Sequence, residues 1–290
     1  MKAVLFLVFC VLFSCLGGCV PTQYEQTETA QATIAPEEGD AADGVLELEG
    51  RRYHYTGAEG DLVAENDVLT IRRGGVYRLR GTLQEGRLRI NVDRDETVRL
   101  LLEGASITSS YGAPLEVEQG ACVILETVGD SVNHLTDEKG SLTDTAAPRA
   151  CVFSVCPLIL RGTGSLIVSG RRANGIFSES NVILETGRVT VSARETAVLA
   201  EEFFLMTGGA LTVTTATEGI VSSTAACDNC RRGRVEIQQG VVTVCCSEVA
   251  IRAGELLRIS GGQGSLDAPT RYRGETVEVA EDFLKSPTGT

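Results

Sequence analysis

Three lysines, two histidines and no tryptophan occur in 290 residues, and each shortage removes a class of answer. Lys2, Lys139 and Lys285 are scattered, acidic residues outnumber basic ones 39 to 26, and the formal net charge is −13. No basic stripe exists, which argues against nucleic acid and anionic lipid surfaces as partners. The acidity itself marks no site. His54 and His134 are the only imidazoles, so a structural zinc at Cys227 and Cys230 would lack its two further ligands. No apolar stripe recurs at the 3.6-residue period, which excludes a helical solenoid. The apolar run Ala3–Phe13 is too short for a comfortable transmembrane span.

What the chain does have is a period. Glycine-led blocks begin at Gly164, Gly187, Gly209 and Gly240, with starts 23, 22 and 31 residues apart, and a fifth start at Gly262 follows after 22. Three apolar columns keep this register: Val191, Val213 and Val244; Val198, Ile220 and Ile251; Leu184, Met206, Ile237 and Ile259. Units this small cannot bury their own cores, so they must stack and complete one another. Within a block apolar residues alternate, as at Val189 and Val191 or Phe204 and Met206. Alternation marks strands, and 22 residues hold three short strands with three tight turns. The fold class that follows is all-β, a parallel β-helix in which like residues stack at ~4.8 Å. Between Val221 and Val235 the third block carries nine surplus residues before the register resumes, which predicts a loop bulging from one turn, with Cys227 and Cys230 in it.

The ends divide the chain. Lys2, the run Ala3–Phe13 and then Leu16-Gly17-Gly18-Cys19 resemble a bacterial lipobox, so residues 1–18 read as a lipoprotein signal peptide and Cys19 as the lipidation site. Acylation of that cysteine would anchor the chain in a membrane. Residues 19–44 are acidic and aperiodic and read as a disordered tether. Residues 45–80 are expected to cap the N-terminal end, 81–268 to form the coils, and 269–290 to make a C-terminal cap and tail. Seven cysteines remain beyond Cys19, an odd number that leaves at least one thiol unpaired or intermolecular. Cys227 and Cys230 are the candidates for a local disulfide or a redox pair. Cys245 is expected to point outward and Cys246 to start a turn, while Cys122, Cys151 and Cys156 read as small coil residues.

The first half then becomes legible. The runs Gly75–Leu83, Gly86–Val92 and Val98–Thr108, with Asn133–Asp137 and Cys151–Val168, resemble the secreted carbohydrate-binding β-helix domain family of bacteria, whose fold is similar to that of pectate lyases. The resemblance spans roughly residues 67 to 265. It implies a right-handed parallel β-helix outside the cell that binds plant-type polysaccharides such as cellulose or acidic pectic chains, with bound calcium; it does not imply lyase activity. The family pattern places aspartate before a Gly-Ile pair. Here the equivalents are Asn174-Gly175, Thr196-Ala197, Glu218-Gly219 and Val249-Ala250, so only Asn174 and Glu218 keep an oxygen there. Glu179, Glu201 and Glu218 are the candidate calcium ligands, and a solvated turn edge is the plainer reading, because calcium needs six to eight converging oxygens.

Three functions are compatible with these features. The first is a non-catalytic carbohydrate-binding lipoprotein of the cell envelope, periplasmic or surface-exposed. The outward ladder Thr190, Thr212 and Thr243 suits it, although aromatics are few. Phe177 is the exception, and packing explains that residue equally well. The second is a structural or adhesive surface lipoprotein that binds a protein partner. The third is a polysaccharide lyase, which needs cation-neutralised uronate and a base. Arg171, Arg172, Arg194 and Arg252 lie near coil turns, and each reads as a surface charge. No catalytic residue is assigned, and a neutral glycan is favoured over a pectic one.

Overall fold

From Cys122 onward each coil of the described residues lays down three strands, one on each of three faces. The computed structural model describes residues 41–138, 149–223 and 233–284, all within one unit, Gly39–Thr290. A representative coil runs Ser165–Gly170 on the first face, Asn174–Ser178 on the second and Asn181–Leu184 on the third. The next repeats this as Arg188–Ala193, Thr196–Ala200 and Phe203–Met206. Each strand pairs in parallel with its equivalent one coil away. The result is a parallel β-helix. Among the described residues no helix is long and apolar enough to cross a membrane.

The three apolar columns turn out to be the three inner walls. Val191–Val213–Val244 lines the first face, Val198–Ile220–Ile251 the second, and Leu184–Met206–Ile237–Ile259 the third. None of these side chains is more than 2 % exposed, and each buried aliphatic contributes roughly 1.5–3 kcal/mol. The block-leading glycines have a backbone reason. Gly187, Gly209, Gly240 and Gly262 close the turn from third face to first with φ of 82, 72, 100 and 88°, a region that side chains with a Cβ avoid. At the turn from second face to third, Ser154, Ser178 and Ser222 are fully buried and donate their hydroxyls to the carbonyls of Cys156, Cys156 and Glu202. The polar groups of that corner are thereby satisfied without water.

The parallel ladders run past residues 81 and 268, the boundaries expected for the coils. Gly44–Gly50 already pairs in parallel with Gly75–Gln84, and Val68–Ile71 with Arg87–Asn91. At the other end, Thr270–Arg273 and Thr276–Val279 add to Val249–Ala253 and Leu256–Ile259. Among the described residues the third face thus has ten rungs. The early coils hide their period because one strand serves two faces. Thr97–Ser109 pairs first with Cys122–Thr127 on the third face and then, past Gly104, with Val132–Asp137 on the first. Gly75–Gln84 bends likewise at Gly81, where a Cβ would lie 2.2 Å from the Leu48 carbonyl oxygen.

Both ends are closed. At the N-terminal end Arg52–Gly57 folds back antiparallel on Gly44–Gly50, and Leu62–Glu65 on Val68–Ile71. At the C-terminal end the fully buried Phe283 packs where a side chain on Gly264 would be, and the Gly264 N–H donates to its carbonyl. The expected bulge, with Cys227 and Cys230, lies outside the described residues, as does Cys19. Beyond the bulge the register resumes, Arg234 opposite Phe203 and Val235 opposite Phe204.

Candidate functional site

With the inner walls apolar, recognition falls to the outward columns, and the three faces differ. The first face presents hydroxyls. Thr190, Thr212, Thr243 and Ser265 stack in successive coils, continuing a column that runs Thr82, Ser106, His134 and Ile167. A second column two residues on reads Thr108, Thr136, Ser169, Ser192 and Thr215.

The second face presents aromatic rings. Its central outward column runs Arg89, Glu116, Phe153, Phe177, Leu199, Val221 and Arg252, of which Val221 is fully covered. Phe153 and Phe177 meet edge to face, with centroids 5.4 Å apart and planes at 67°. Both are half-buried, not enclosed. Arginine–glutamate pairs bracket this apolar strip. On one side Arg89 reaches Glu116 at 3.1 Å and Glu118 at 3.0 Å. On the other, Arg252 grips Glu218 through both carboxylate oxygens at 2.7 and 2.8 Å. Phe177 therefore packs against a second outward ring and is not a lone aromatic.

The third face is aliphatic. Ile124, Ile159, Ile183 and Leu205 form one outward column. Below it lies a buried ionic group, Glu126 held by Arg99 at 2.8 and 2.9 Å and by Arg161 at 2.7 Å. Burial pushes the Glu126 carboxyl up, but the hydrogen bonds from the two guanidinium groups prevail and hold it below the ordinary range.

The candidate calcium ligands are divided between two corners. Glu179 and Glu201 follow the second-face strands Asn174–Ser178 and Thr196–Ala200, whereas Glu218 begins Glu218–Ser222 at the opposite edge. Glu218 is engaged by Arg252, and the Asn174 side-chain oxygen accepts the Thr196 N–H at 3.1 Å. Among the described residues no group of three or more His, Cys, Asp or Glu side chains is placed to hold a metal. Of the four turn arginines, Arg172 is not a surface charge. It is 7 % exposed, its Nε donates to the Glu138 carbonyl at 3.0 Å, and its Nη2 donates to the Ser110 carbonyl.

Four thiols of the described residues are structural. Burial pushes Cys122 up to about 12 and raises Cys151, Cys156 and Cys246 as well, which removes the thiolate that reactivity requires. Cys245 is exposed at the end of its strand.

Residues 65–287 match the family described as carbohydrate-binding domain-containing protein. The chain belongs to that family. A relative from Acetivibrio thermocellus with the same description is 29 % identical over 138 residues, which are 47 % of this chain and 48 % of the relative. The aligned part thus spans about half the length of that relative. Among solved structures, the polysaccharide lyase-like protein from C. thermocellum, as a gadolinium derivative, superposes with a TM-score of 0.77 over 83 % of this chain and 98 % of that one. At 22 % identity this likeness concerns the fold. The family match contains all three outward columns of the central coils, including Phe153 and Phe177.

Proposed function

We propose that this chain is a non-catalytic carbohydrate-binding lipoprotein of a bacterial cell envelope, anchored through Cys19 and holding a neutral polysaccharide along its flank. The observation that carries the reading is the outward Phe153–Phe177 pair between fixed arginine–glutamate brackets. A pyranose ring offers an apolar C–H face and a rim of hydroxyls. Phenyl rings take the first, and ion pairs whose donors and acceptors are already oriented take the second. A straight ladder repeating at ~4.8 Å gives an extended polymer successive equivalent footholds. The net charge of −13 disfavours an anionic polymer. For lyase chemistry a base must take a proton beside a neutralised carboxylate. Arg252, one of the turn arginines, is already held by Glu218, and arginine does not give up its proton at accessible pH. The hydrogen bonds that Arg252 donates to the Glu218 carboxylate raise the pKa of Arg252 further. A second reading, attachment to a protein partner, has the aliphatic column Ile124–Ile159–Ile183–Leu205 in its favour.

The test uses the full chain in a detergent without a sugar headgroup, applied to a glycan array and to insoluble polysaccharides, with and without EDTA. Retention on a neutral polysaccharide that survives EDTA and falls at least fivefold in Phe177→Ala is expected. Binding to no glycan overturns the reading in favour of a protein partner. Calcium-dependent release of unsaturated, ultraviolet-absorbing products overturns the non-catalytic part.

A further inference from the structure

The strongest unassigned feature lies away from the phenylalanine strip, at the N-terminal end. A cavity of about 150 Å³ opens there between the hairpin turn Asn66-Asp67, the turn at Glu85-Gly86 and the ring of Tyr53. Its floor is apolar, made by Leu69 and Leu83, both buried. Its rim is polar. We propose that this cavity is a second saccharide site, shaped for a single hexopyranose unit such as a chain end. The proposal rests on the carbohydrate reading but on different residues.

Size limits the ligand first. Pockets for drug-sized molecules are about 300–1,000 Å³, so this one is of the size of a single ring. Shape and chemistry limit it next. An apolar floor with an aromatic wall and a rim of carboxylates, carboxamide and guanidinium fits a ring whose faces are C–H and whose edge is hydroxyl. Vicinal hydroxyls can each donate to Asp67 or Glu85 and accept from Asn66 or Gln84. A free cation is a poorer match, since no three ligating side chains converge among the described residues.

Backbone strain singles out the same place. Among the described residues three non-glycine residues have positive φ: Asn66 at 49°, Asp67 at 62° and Glu85 at 57°. All three border this cavity. Asparagine and aspartate tolerate the left-handed region, and a two-residue hairpin turn demands it. Glutamate does not share that tolerance, and the left-handed region costs such a residue roughly 1–2 kcal/mol. Glycine would relieve the strain but remove the carboxylate from the rim. That carboxylate is further fixed by the Ser110 hydroxyl at 2.8 Å. Strain kept at a pocket wall points to a binding role for the side chain that causes it.

Exposure gives a third, independent sign. The exposed large side chains include two tyrosines, Tyr53 at 41 % and Tyr111 at 72 %. Tyr53 walls the cavity, and Tyr111 follows the serine that holds Glu85. The loop bearing Tyr111 is tied by the buried Arg172, which donates to the Ser110 carbonyl. Two solvent-facing rings on a pinned loop and a cavity wall supply rigid amphipathic area at low entropic cost.

Ligand-detected saturation-transfer NMR on the full chain in dodecylphosphocholine tests this, with methyl β-D-glucopyranoside, methyl β-D-galactopyranoside and methyl α-D-mannopyranoside as probes. At least one is expected to bind, with affinity falling tenfold or more in Tyr53→Ala and in Glu85→Gly. Glu85→Gly relieves the positive φ, so its Tm is expected to match or exceed that of the parent, which separates lost binding from lost fold. Transfer to none of the probes, or transfer indifferent to both substitutions, overturns the pocket while leaving polymer retention to stand or fall alone. Transfer that persists in a chain retaining no polysaccharide overturns the flank reading instead.

Discussion

Two buried carboxylates of this chain face opposite electrostatic outcomes, and the difference is one of partners. Glu126 has two guanidinium groups and stays ionised. Asp137 is fully buried, accepts the Arg171 N–H and the Arg172 N–H at 3.3 Å on one oxygen, and leaves its other oxygen without a hydrogen bond among the described residues. Burial pushes it up to about 6, against the lowering effect of those two N–H groups and of the Arg172 and Arg171 charges. A carboxyl whose folded pKa exceeds its unfolded value, 3.8, stabilises the fold most below pH 3.8 and loses that contribution as pH rises through about 6. Asp137→Asn is therefore expected to be at least as stable as the parent at pH 7.5 and to lose that advantage by pH 4.5, by denaturant midpoints across the range. A parent whose midpoint falls relative to Asp137→Asn as pH drops from 7.5 to 4.5 would contradict this. At this scale sequence reading went only partway. It singled out Phe177 but missed Phe153, although Val152-Phe153-Ser154 and Ile176-Phe177-Ser178 are visibly one motif in two coils. The glycine that sets the register starts only at Gly164, so Phe153 falls outside the blocks.

Strands were legible where one strand serves one face. The inward columns from Leu184 onward depend only on alternation and on a turn glycine, both written locally in the chain. The coils before Gly164 escaped that reading because Gly75–Gln84 and Thr97–Ser109 bend across two faces and blur the period. The pocket at Tyr53 and Glu85 was illegible for a stronger reason: its walls come from two hairpins and a turn that only three-dimensional closure brings together. Closure at the other end depends on one residue. Phe283 is fully buried, and its ring occupies the place a side chain on Gly264 would take. Phe283→Ala is expected to cost about 3–5 kcal/mol if the last rung unfolds with the rest. It should also expose the strand edge of the final coil and promote end-to-end association. Chemical denaturation and light scattering read the two effects. Unchanged values in both would show that the ring is not the closure.

For the molecule as a whole, the relevant quantity is the rung. Arg188 and Ala210 are register partners in adjacent coils, so deleting residues 188–209 would join Gly187 to Ala210 and bring Leu166 over Leu211, Ile176 over Ile220 and Leu184 over Ile237. Apolar would still meet apolar on all three walls. The shortened chain is expected to unfold cooperatively with a denaturant m-value lower by about a tenth, since m follows the surface exposed and one rung of ten is lost. A collapse to a non-cooperative transition would mean that coils are not equivalent neighbours. The same geometry bears on descent. The strands that flank positions 139–148, Val132–Asp137 and Ala150–Ser154, and those that flank positions 224–232, Glu218–Ser222 and Arg234–Ile237, all keep the common register. A lineage built this way can lengthen or trim its corners residue by residue. Along the walls it changes only by whole turns, of the kind that unequal exchange between neighbouring repeats of a gene supplies.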